Sequence, residues 1–411
     1  MSTSTQSHTG FLPYGKQHVS EADIEAVIKV LKSDWLTQGP GVPAFEKMLT
    51  EKVGASHTAV CSSGTAALHL TMLALGIGPG DEIAVSSNTF LASANCARFV
   101  GAEVRFIDIN PYNGLIDLKS LSKVLQADDK HKIKAIIPVH FAGQPVELTA
   151  IHSLAVEHSA KVVEDACHAV GAWYEHDGHR HNIGGCSHSD MTVFSFHPVK
   201  HVAMGEGGAV TTNQPELIKR LQLFRNHGLQ KEDFTNNDMA RSPDGKVNPW
   251  YYEMHELGYN YRLTDIQAAL GLSQLARLSW SLERRNKLAD CYREVIDGTF
   301  PDGGIRPLDV RDSVFHAYHL FTVLIDFNRF GVSRADVMNR LRKAGIGTQV
   351  HYIPVPLQPY YRKRYGIKPG DFPGAEKYYA RALSLPMYPD LTGADCEWVI
   401  GSLKTIMGTA L

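Results

Sequence analysis

The sequence predicts an α/β fold in which a large, mostly parallel β-sheet is followed by a smaller α+β unit. Two observations support this prediction. Between residues 58 and 212, short β-branched runs alternate with helical patterns, and strands joined through helices of this length pair in parallel with both sheet faces covered. Beyond residue 250, long helices and isolated strands follow. The 411 residues, 44% of them hydrophobic, fit a globular protein of roughly two to three domains.

The first half of the chain supplies the predicted sheet. A helix begins at a capping box formed by Ser20 and Asp23 and ends before Trp35. Four strand and helix pairs follow: TAVC with residues 66–75, EIAVS with 91–100, VRFIDI with 118–125, and KAIIPV with 148–158. The strand KVVED comes next, and then MTVFSF and GAVTT arrive without long helices between them. We therefore expect a large α/β domain over residues 1–250.

The second half predicts a small C-terminal α+β domain over residues 251–411. Residues 231–249 are rich in Asn, Asp, Gly and Pro and predict an exposed loop. A long helix is predicted from Thr264 past Cys291. The remaining predicted elements are the strand HLFTVLID, a helix over 333–344, the strand TQVHYI, and helices over 376–383 and 396–407.

Charge and cysteine content exclude several classes of protein. The 41 basic and 43 acidic residues leave a net charge of −2, so no basic surface is available for nucleic acid or anionic lipid. The six cysteines form no C-x-x-C pair, and we expect reduced thiols in a cytoplasmic protein. The start MSTSTQSHTG lacks the features of a signal peptide, and polar residues interrupt the charge-free stretch over 54–80. We expect no membrane partner.

Lys200 stands between a predicted strand and a glycine-rich turn in FSFHPVKHVAMGEGG. Most lysines are solvated surface groups. The glycines at 205, 207 and 208, however, allow close approach of a bound group to the backbone. A desolvated amine deprotonates and forms a Schiff base with an aldehyde. Lys200 is therefore a candidate for covalent catalysis, and a surface lysine is the alternative.

A phosphate site is predicted in SSGTAAL, between the strand TAVC and the next helix. Gly64 and Thr65 would begin that helix, where unpaired N–H groups and the positive end of the dipole face an anion. The alternative is a plain helix cap formed by Ser63 or Thr65.

Asp165 directly follows the buried run KVVE in EDACHAVGA. A carboxylate at the carboxyl end of an internal parallel strand lies where open α/β sheets bind ligands, and it needs a cationic partner there. Asp165 and His168 could instead be metal ligands, and HDGHRH adds three histidines. The glycine and charged residues around those histidines favour a solvated loop, so we predict no metal.

Phe90 opens a helix directly after a strand in SSNTFLASANCA. An aromatic side chain there could stack on a flat ring, although core packing is the common fate of a single Phe. Together the four sites offer an amine for an aldehyde, N–H donors for a phosphate, a carboxylate for a ring nitrogen and an aromatic face. These are the groups that pyridoxal phosphate (PLP) requires.

Seven motifs, in the same order, extend this pattern over nearly the whole chain: LPYGKQ, SDWLTQGPGVPAFE, SSGTAALHL, EDACHAVGA, FSFHPVKH, GYNYRLTDIQAALG and VHYIPVPLQPYY. With them the chain resembles the DegT/DnrJ/EryC1/StrS family of sugar aminotransferases. The resemblance implies the type I fold of PLP enzymes, with a seven-stranded, mostly parallel sheet in the large domain, and it implies PLP as the cofactor.

The resemblance also assigns roles by position. Lys200 matches the lysine that holds the cofactor, and Asp165 matches the acid that keeps the pyridinium nitrogen protonated. The other matches are Gly64, Thr65 and Ser195 at the phosphate, Phe90 as the stacking aromatic, and His168 near the ring hydroxyl. Asn260, in GYNYR, matches an asparagine that reaches the phosphate of the neighbouring subunit's cofactor, which implies a homodimer.

Two features refine the resemblance. Relatives commonly carry two threonines where this chain has Ala203 and Met204, and we expect these residues near the pocket. Another branch of the family replaces the lysine by histidine and performs a dehydration. The presence of Lys200 favours transamination.

Within the family, SDWLTQGP, WYYEMHELGYNYRLTDIQAALGLSQL and GTQVHYIPVPLQPYY most resemble the branch of pseudaminic acid synthesis. This implies transamination of a UDP-linked 4-keto-6-deoxy-N-acetylhexosamine, with L-glutamate as the donor and 2-oxoglutarate as its product. The alternatives are a transaminase for another 3- or 4-keto nucleotide sugar, linked to dTDP or GDP, a catalytically silent PLP-binding regulator, and a metal hydrolase using Asp165 and His168. A glutamate-dependent spectral change would exclude the silent regulator.

Overall fold

The computed structural model describes residues 10–408, and it confirms the predicted α/β class. A short 3-10 helix at Phe141–Gly143 interrupts the first half of the chain. The other helices and strands up to residue 212 are, in order, α1 Glu21–Leu31, α2 Gly41–Val53, β1 His57–Cys61, α3 Gly64–Leu75, β2 Glu82–Ser86, α4 Leu91–Phe99, β3 Glu103–Ile107, α5 Leu118–Gln126, β4 Ile133–Ile137, α6 Leu148–Glu157, β5 Lys161–Asp165, β6 Trp173–His176, β7 His179–Asn182, β8 Met191–Ser195 and β9 Gly208–Thr212.

The second half of the described chain is richer in helices, and it includes a 3-10 helix at Val355–Leu357. Its other elements are α7 Pro215–Arg225, β10 Leu229–Gln230, α8 Asn237–Ala240, β11 Glu253–Met254, α9 Asp265–Ala276, α10 Leu278–Thr299, β12 Ile305–Pro307, β13 Val314–Phe315, β14 Phe321–Ile325, α11 Arg334–Lys343, α12 Pro359–Tyr365, α13 Pro373–Arg381, β15 Ala382–Leu385 and α14 Gly393–Gly408.

A seven-stranded sheet organises the first half, in the order β1-β9-β8-β5-β4-β2-β3. Strand β9 is antiparallel to both of its neighbours, and the other pairs are parallel. The strands β1, β8, β5, β4, β2 and β3 therefore share one direction, and their carboxyl ends meet at one edge of the sheet. Open α/β sheets bind their ligands at this edge.

The sheet is buried on both faces, as the β-branched runs predict. Every residue of β2 and of β9 is buried. Successive residues of a strand point to opposite faces, and accordingly Val162 and Val163 of β5 belong to two different hydrophobic cores. Packing on both faces fixes the position of each strand end at the carboxyl edge.

A second sheet, of the antiparallel strands β12, β14 and β15, lies in the C-terminal part with its own core. Helices α10 and α11 both contact α14 there. The segment around Leu12 joins this part, because Leu12 forms a parallel bridge with Ile346. The C-terminal part is thus α+β in character, while the division of the chain at residue 250 stays a prediction.

Several local predictions were wrong. The run TQVHYI is not a strand: only Gln349 forms a bridge, to Ser384, and Tyr352 instead donates a backbone hydrogen bond to the Asn88 side chain at 3.2 Å. The single long helix is two, α9 and α10, because Arg277 leaves the helical conformation with φ −109° and ψ 16°. The helix predicted over 376–383 ends at Arg381, and its last residues open β15.

Other elements were missed or misassigned. HDGHRH is not a loop: it forms the tight turn of the hairpin β6–β7 and the strand residues next to that turn. Most of these residues are exposed to solvent, as the prediction expected. Helices α2 and α7 had no counterpart in the prediction. The segment over 231–249 is largely irregular, as predicted, but contains the short helix α8.

Asp265, at the start of α9, joins that helix to the N-terminal end of α2. Its buried carboxylate accepts backbone hydrogen bonds from Gly39 at 2.8 Å and Gly41 at 2.7 Å. Thr264 and Gln267 form a capping box at the same turn. One carboxylate therefore holds two segments that are more than 220 residues apart in sequence.

We predict that Asp265→Ala lowers the free energy of unfolding by about 2 to 4 kcal/mol, because it leaves two N–H groups without their charged acceptor. Chemical denaturation monitored by circular dichroism measures this loss. Asp297→Ala, at an exposed position of α10, is the control and should change stability by less than about 0.5 kcal/mol. Equal stability of the two variants would contradict the structural role of Asp265.

Candidate active site

A cavity of about 570 Å³ opens at the carboxyl edge of the large sheet. Its wall combines the ends of the parallel strands, the first turns of α3 and α4, and segments from the C-terminal half. Seven of the eight predicted site residues lie in this wall: Gly64, Thr65, Phe90, Asp165, His168, Ser195 and Lys200. The eighth, Asn260, does not.

Lys200 follows β8 and presents a half-buried side chain to the cavity. Its Nζ lies 3.4 Å from Nε2 of His319. Burial lowers the pKa of Lys200 below its ordinary value, and Cys167 and Asp165 only partly oppose this shift. The amine is thereby brought closer to the neutral, nucleophilic form.

Asp165 is the last residue of β5 and is buried. Its Oδ2 accepts a hydrogen bond from Ser93 Oγ at 2.6 Å, and its Oδ1 accepts one from the Cys167 backbone at 3.1 Å. The preceding Glu164 points to the opposite face of the strand, where it bonds to His140 at 2.8 Å. Of the two acids in this motif, only Asp165 is available to a ligand in the cavity.

The first turn of α3 is the predicted phosphate site. Ser63 caps the helix, and its side chain accepts a hydrogen bond from the Ala66 N–H at 3.1 Å. The N–H groups of Gly64 and Thr65 precede the first intrahelical bonds, so they are free to bind an anion. A side-chain carbon at Gly64 would lie 2.9 Å from Ser195 Cβ, so the turn requires glycine and places Ser195 beside it.

Phe90 and His168 border the cavity on other sides. Phe90 is 57% exposed and lies at the N-terminus of α4, with its ring 6.1 Å from that of Tyr352. A face of this ring remains available for stacking. His168 Nε2 lies 3.2 Å from the Tyr352 hydroxyl, while its buried Nδ1 has no partner within the described residues. Burial and the charge of Lys200 lower the pKa of His168 well below its usual range, so the ring is neutral.

The sequence missed several residues of the cavity wall. Tyr14, His319, Gln349, His351 and Tyr352 all line it. Tyr14 lies in LPYGKQ, and His351 and Tyr352 lie in VHYIPVPLQPYY. Both motifs supported the family resemblance, but the resemblance gave no role to these three residues. Gln349 directly precedes the second of these motifs. His319 is the first residue of HLFTVLID, which was predicted only as a strand.

Ala203 and Met204 were expected near the pocket, and neither of them lines the cavity. Both are buried. Met204 packs against Gly271 of α9. A side-chain carbon at position 271 would lie only 2.6 Å from the terminal methyl group of Met204. These residues shape the contact between the sheet and α9.

Asn260 is exposed and forms an antiparallel bridge with Asn226. Within one chain it lies outside the cavity wall. Its role in the site of a neighbouring subunit stays a prediction.

Over residues 10–408, no three His, Cys, Asp or Glu side chains are grouped so that they could hold a metal ion. Over the same residues, no helix is both long enough and apolar enough to cross a membrane.

Comparison with known proteins places the chain in a family. The sequence model of the DegT/DnrJ/EryC1/StrS aminotransferase family matches residues 17–404. The spore coat polysaccharide biosynthesis protein SpsC of Bacillus subtilis is 39% identical over 403 residues, which are 98% of each chain. The resemblance read from the motifs is therefore confirmed.

Solved structures agree. The PLP form of the putative sugar aminotransferase Spr1654 of Streptococcus pneumoniae has a TM-score of 0.84 at 29% identity, covering 98% of this chain and 100% of that one. PseC of Helicobacter pylori, an aminotransferase involved in pseudaminic acid biosynthesis, has a TM-score of 0.84 at 30% identity, covering 97% and 100%. The chain belongs to the DegT/DnrJ/EryC1/StrS aminotransferase family, whose members are PLP-dependent sugar aminotransferases.

Proposed function

We propose that this enzyme transfers the amino group of L-glutamate to the C4 ketone of a UDP-linked 4-keto-6-deoxy-N-acetylhexosamine. The observation that carries the chemistry is the half-buried Lys200 amine, in the wall of the same cavity as the Asp165 carboxylate and the helix N-terminus at Gly64. The similarity to PseC supports the choice of sugar. The similarity to SpsC supports a place in polysaccharide synthesis.

The residues of the cavity fit PLP. Free N–H groups at Gly64 and Thr65, with the Ser195 hydroxyl, suit its phosphate. The Asp165 carboxylate suits its ring nitrogen, and Phe90 offers a ring face for stacking. The Nδ1 of His168 is a buried polar atom without a hydrogen-bond partner among residues 10–408, which a polar group of the cofactor could supply. In the proposed arrangement, Lys200 holds the cofactor covalently and His168 lies near its ring hydroxyl.

Bound PLP supplies an aldehyde that condenses with amines and a ring that accepts electron density. Lys200, once free, would act as the base: its Nζ would move a proton from Cα of glutamate to the cofactor in the first half-reaction, and from the cofactor to C4 of the sugar in the second. Asp165 would accept a hydrogen bond from the ring nitrogen. The hydrogen bonds from Ser93 and Cys167 hold this carboxylate in place.

The second subunit completes the site in this proposal. Asn260 is exposed and far in sequence from the phosphate turn at Gly64, as a residue that serves a neighbouring molecule should be. A closed two-fold dimer would form two equivalent sites from one self-complementary interface.

Lys200 should be the single attachment point of the cofactor. Borohydride reduction of the PLP-loaded enzyme should bleach its absorbance and leave the adduct on the peptide that contains Lys200, as read by mass spectrometry. Lys200→Ala should fold and lose transamination, because both the anchor and the base are removed. Lys119→Ala, at an exposed position of α5, is the control. An adduct on any other lysine, or turnover by Lys200→Ala, would contradict the assignment.

The substrate assignment predicts a preference within a panel of keto nucleotide sugars. With glutamate as donor, the UDP-linked 4-keto-6-deoxy-N-acetylhexosamine should have the highest kcat/KM, by roughly tenfold or more over dTDP- and GDP-linked 3- and 4-keto sugars. Mass spectrometry of the aminated products measures the rates. A dTDP- or GDP-linked sugar that is turned over faster would overturn the substrate but leave transamination intact.

The shared site predicts complementation between two inactive variants. Lys200→Ala and Asn260→Ala, mixed and allowed to exchange subunits, should recover about a quarter of wild-type activity, because half the dimers are mixed and each has one complete site. Lys200→Ala mixed with Asp165→Asn should recover nothing, since both changes fall in the site of one chain. If Asn260→Ala alone is strongly impaired and exchange is verified, an inactive mixture would refute the shared site.

A further inference from the structure

His319 lies against the amine that the proposed mechanism uses as its base. The 3.4 Å between Lys200 Nζ and His319 Nε2 is a side-chain contact between residues 119 positions apart. His319 is buried, two residues before β14, and lines the cavity. Neither the sequence nor the family resemblance assigned it a role.

The backbone around His319 is held at several points. Arg285 is fully buried, and its Nη1 donates hydrogen bonds to the carbonyls of Tyr318 at 3.0 Å and His319 at 3.4 Å. The Ala317 N–H donates to the Gly143 carbonyl at 2.9 Å. At Gly143, with φ 103°, a side-chain carbon would lie 2.9 Å from the Tyr318 nitrogen. The segment therefore has little room to move, and the position of the imidazole is fixed.

The ring itself is packed between other imidazoles. The His168 ring lies 4.3 Å from that of His319, and the His201 ring lies 5.7 Å away. His201 is oriented by its own contact, since its Nε2 lies 2.8 Å from the Ala317 carbonyl. Packing on two sides holds the edge of the His319 ring toward Lys200.

The charge state of His319 suits a hydrogen-bond acceptor. Burial and the nearby Lys200, His168, His201 and Arg285 lower its pKa well below the usual range, so the ring is neutral at pH 7. A neutral imidazole with its proton on Nδ1 has a lone pair on Nε2. The buried Nδ1 of His319 has no hydrogen-bond partner within residues 10–408, so the acceptor role at Nε2 follows from its contact with the Lys200 amine. The groups that influence the charge of Lys200 from the surrounding elements are Asp165, Cys167, His168, His201, His319 and His351.

We propose that His319 is the positioning residue of Lys200: its Nε2 accepts a hydrogen bond from the Lys200 amine and holds Nζ at the cavity wall whenever this amine is free. The inference rests on the role of Lys200 proposed above. During turnover, Nζ accepts and releases a proton, and the neutral imidazole stabilises the protonated amine in the orientation from which that proton is returned.

Replacing His319 by a residue without an acceptor should change the pKa of Lys200. A hydrogen-bond acceptor favours the protonated amine, so its removal should lower the pKa of Lys200 further. Cofactor attachment to the apoenzyme requires the neutral amine. The pH midpoint of the attachment rate therefore reports this pKa, without any need for substrate turnover.

The test compares apoenzyme variants by the absorbance change that follows addition of PLP across a pH series. His319→Phe keeps the ring volume and lacks an acceptor, and its midpoint should fall by roughly one pH unit. His319→Gln retains an acceptor and should have a midpoint close to that of the wild type. His319→Leu is a second acceptor-free variant if His319→Phe does not fold, as judged by circular dichroism.

Two controls distinguish the positioning role of His319 from the proposed role of Lys200. His188→Leu changes a histidine between β7 and β8 that bonds to the Tyr174 hydroxyl and lies outside the cavity wall, and it should leave the midpoint unchanged. Equal midpoints in the wild type, His319→Gln and His319→Phe, or equal shifts in both variants, would overturn the positioning role alone. Attachment that persists in Lys200→Ala would overturn the role of Lys200 and, with it, this inference.

Discussion

The structure depends on one constraint: the proposed site needs the Lys200 amine withdrawn from water close to the buried Asp165 carboxylate. The large sheet meets it at one edge. Parallel pairing of β5 and β8 sets Asp165 opposite Val193, so the chain leaves β8 close to Asp165 and reaches Lys200 shortly afterwards. The N-terminus of α3, directly after β1, enters the same cavity from the side. Because both sheet faces are packed, these ends are fixed relative to one another before any ligand binds.

The charges around the cavity follow from the same burial. His168, His319 and His351 all line it, and burial lowers the pKa of each, that of His351 to about 3. Three imidazoles therefore surround Lys200 without adding positive charge. The other polar groups of the wall include the N-terminus of α3, the Lys200 amine and the carboxylates of Asp165 and Glu206. In the proposed arrangement, the N-terminus of α3 binds the phosphate and Asp165 faces the ring nitrogen.

Sequence reasoning recovered most of the large sheet and seven residues of the cavity wall. Strand runs such as KVVED are short, continuous and bounded by turns, so local pattern identifies them, and direction follows from the helices between them. Prediction from sequence failed where contacts between distant parts of the chain determine the local structure. TQVHYI alternates like a strand, yet Tyr352 bonds to Asn88 across the molecule. His319 showed no local signal, because its partner lies 119 residues away. Met204 lies close to Lys200 in sequence but packs against α9 instead.

The central claim is that the cavity at the carboxyl edge binds the cofactor through Lys200, Asp165 and the first turn of α3. A crystal structure of the PLP-loaded enzyme tests it most directly. The account predicts electron density that continues from Lys200 Nζ into the cofactor, the ring nitrogen within hydrogen-bond distance of Asp165, and the phosphate at the N–H groups of Gly64 and Thr65. A cofactor bound in another cavity, or one whose phosphate lies away from α3, would contradict it.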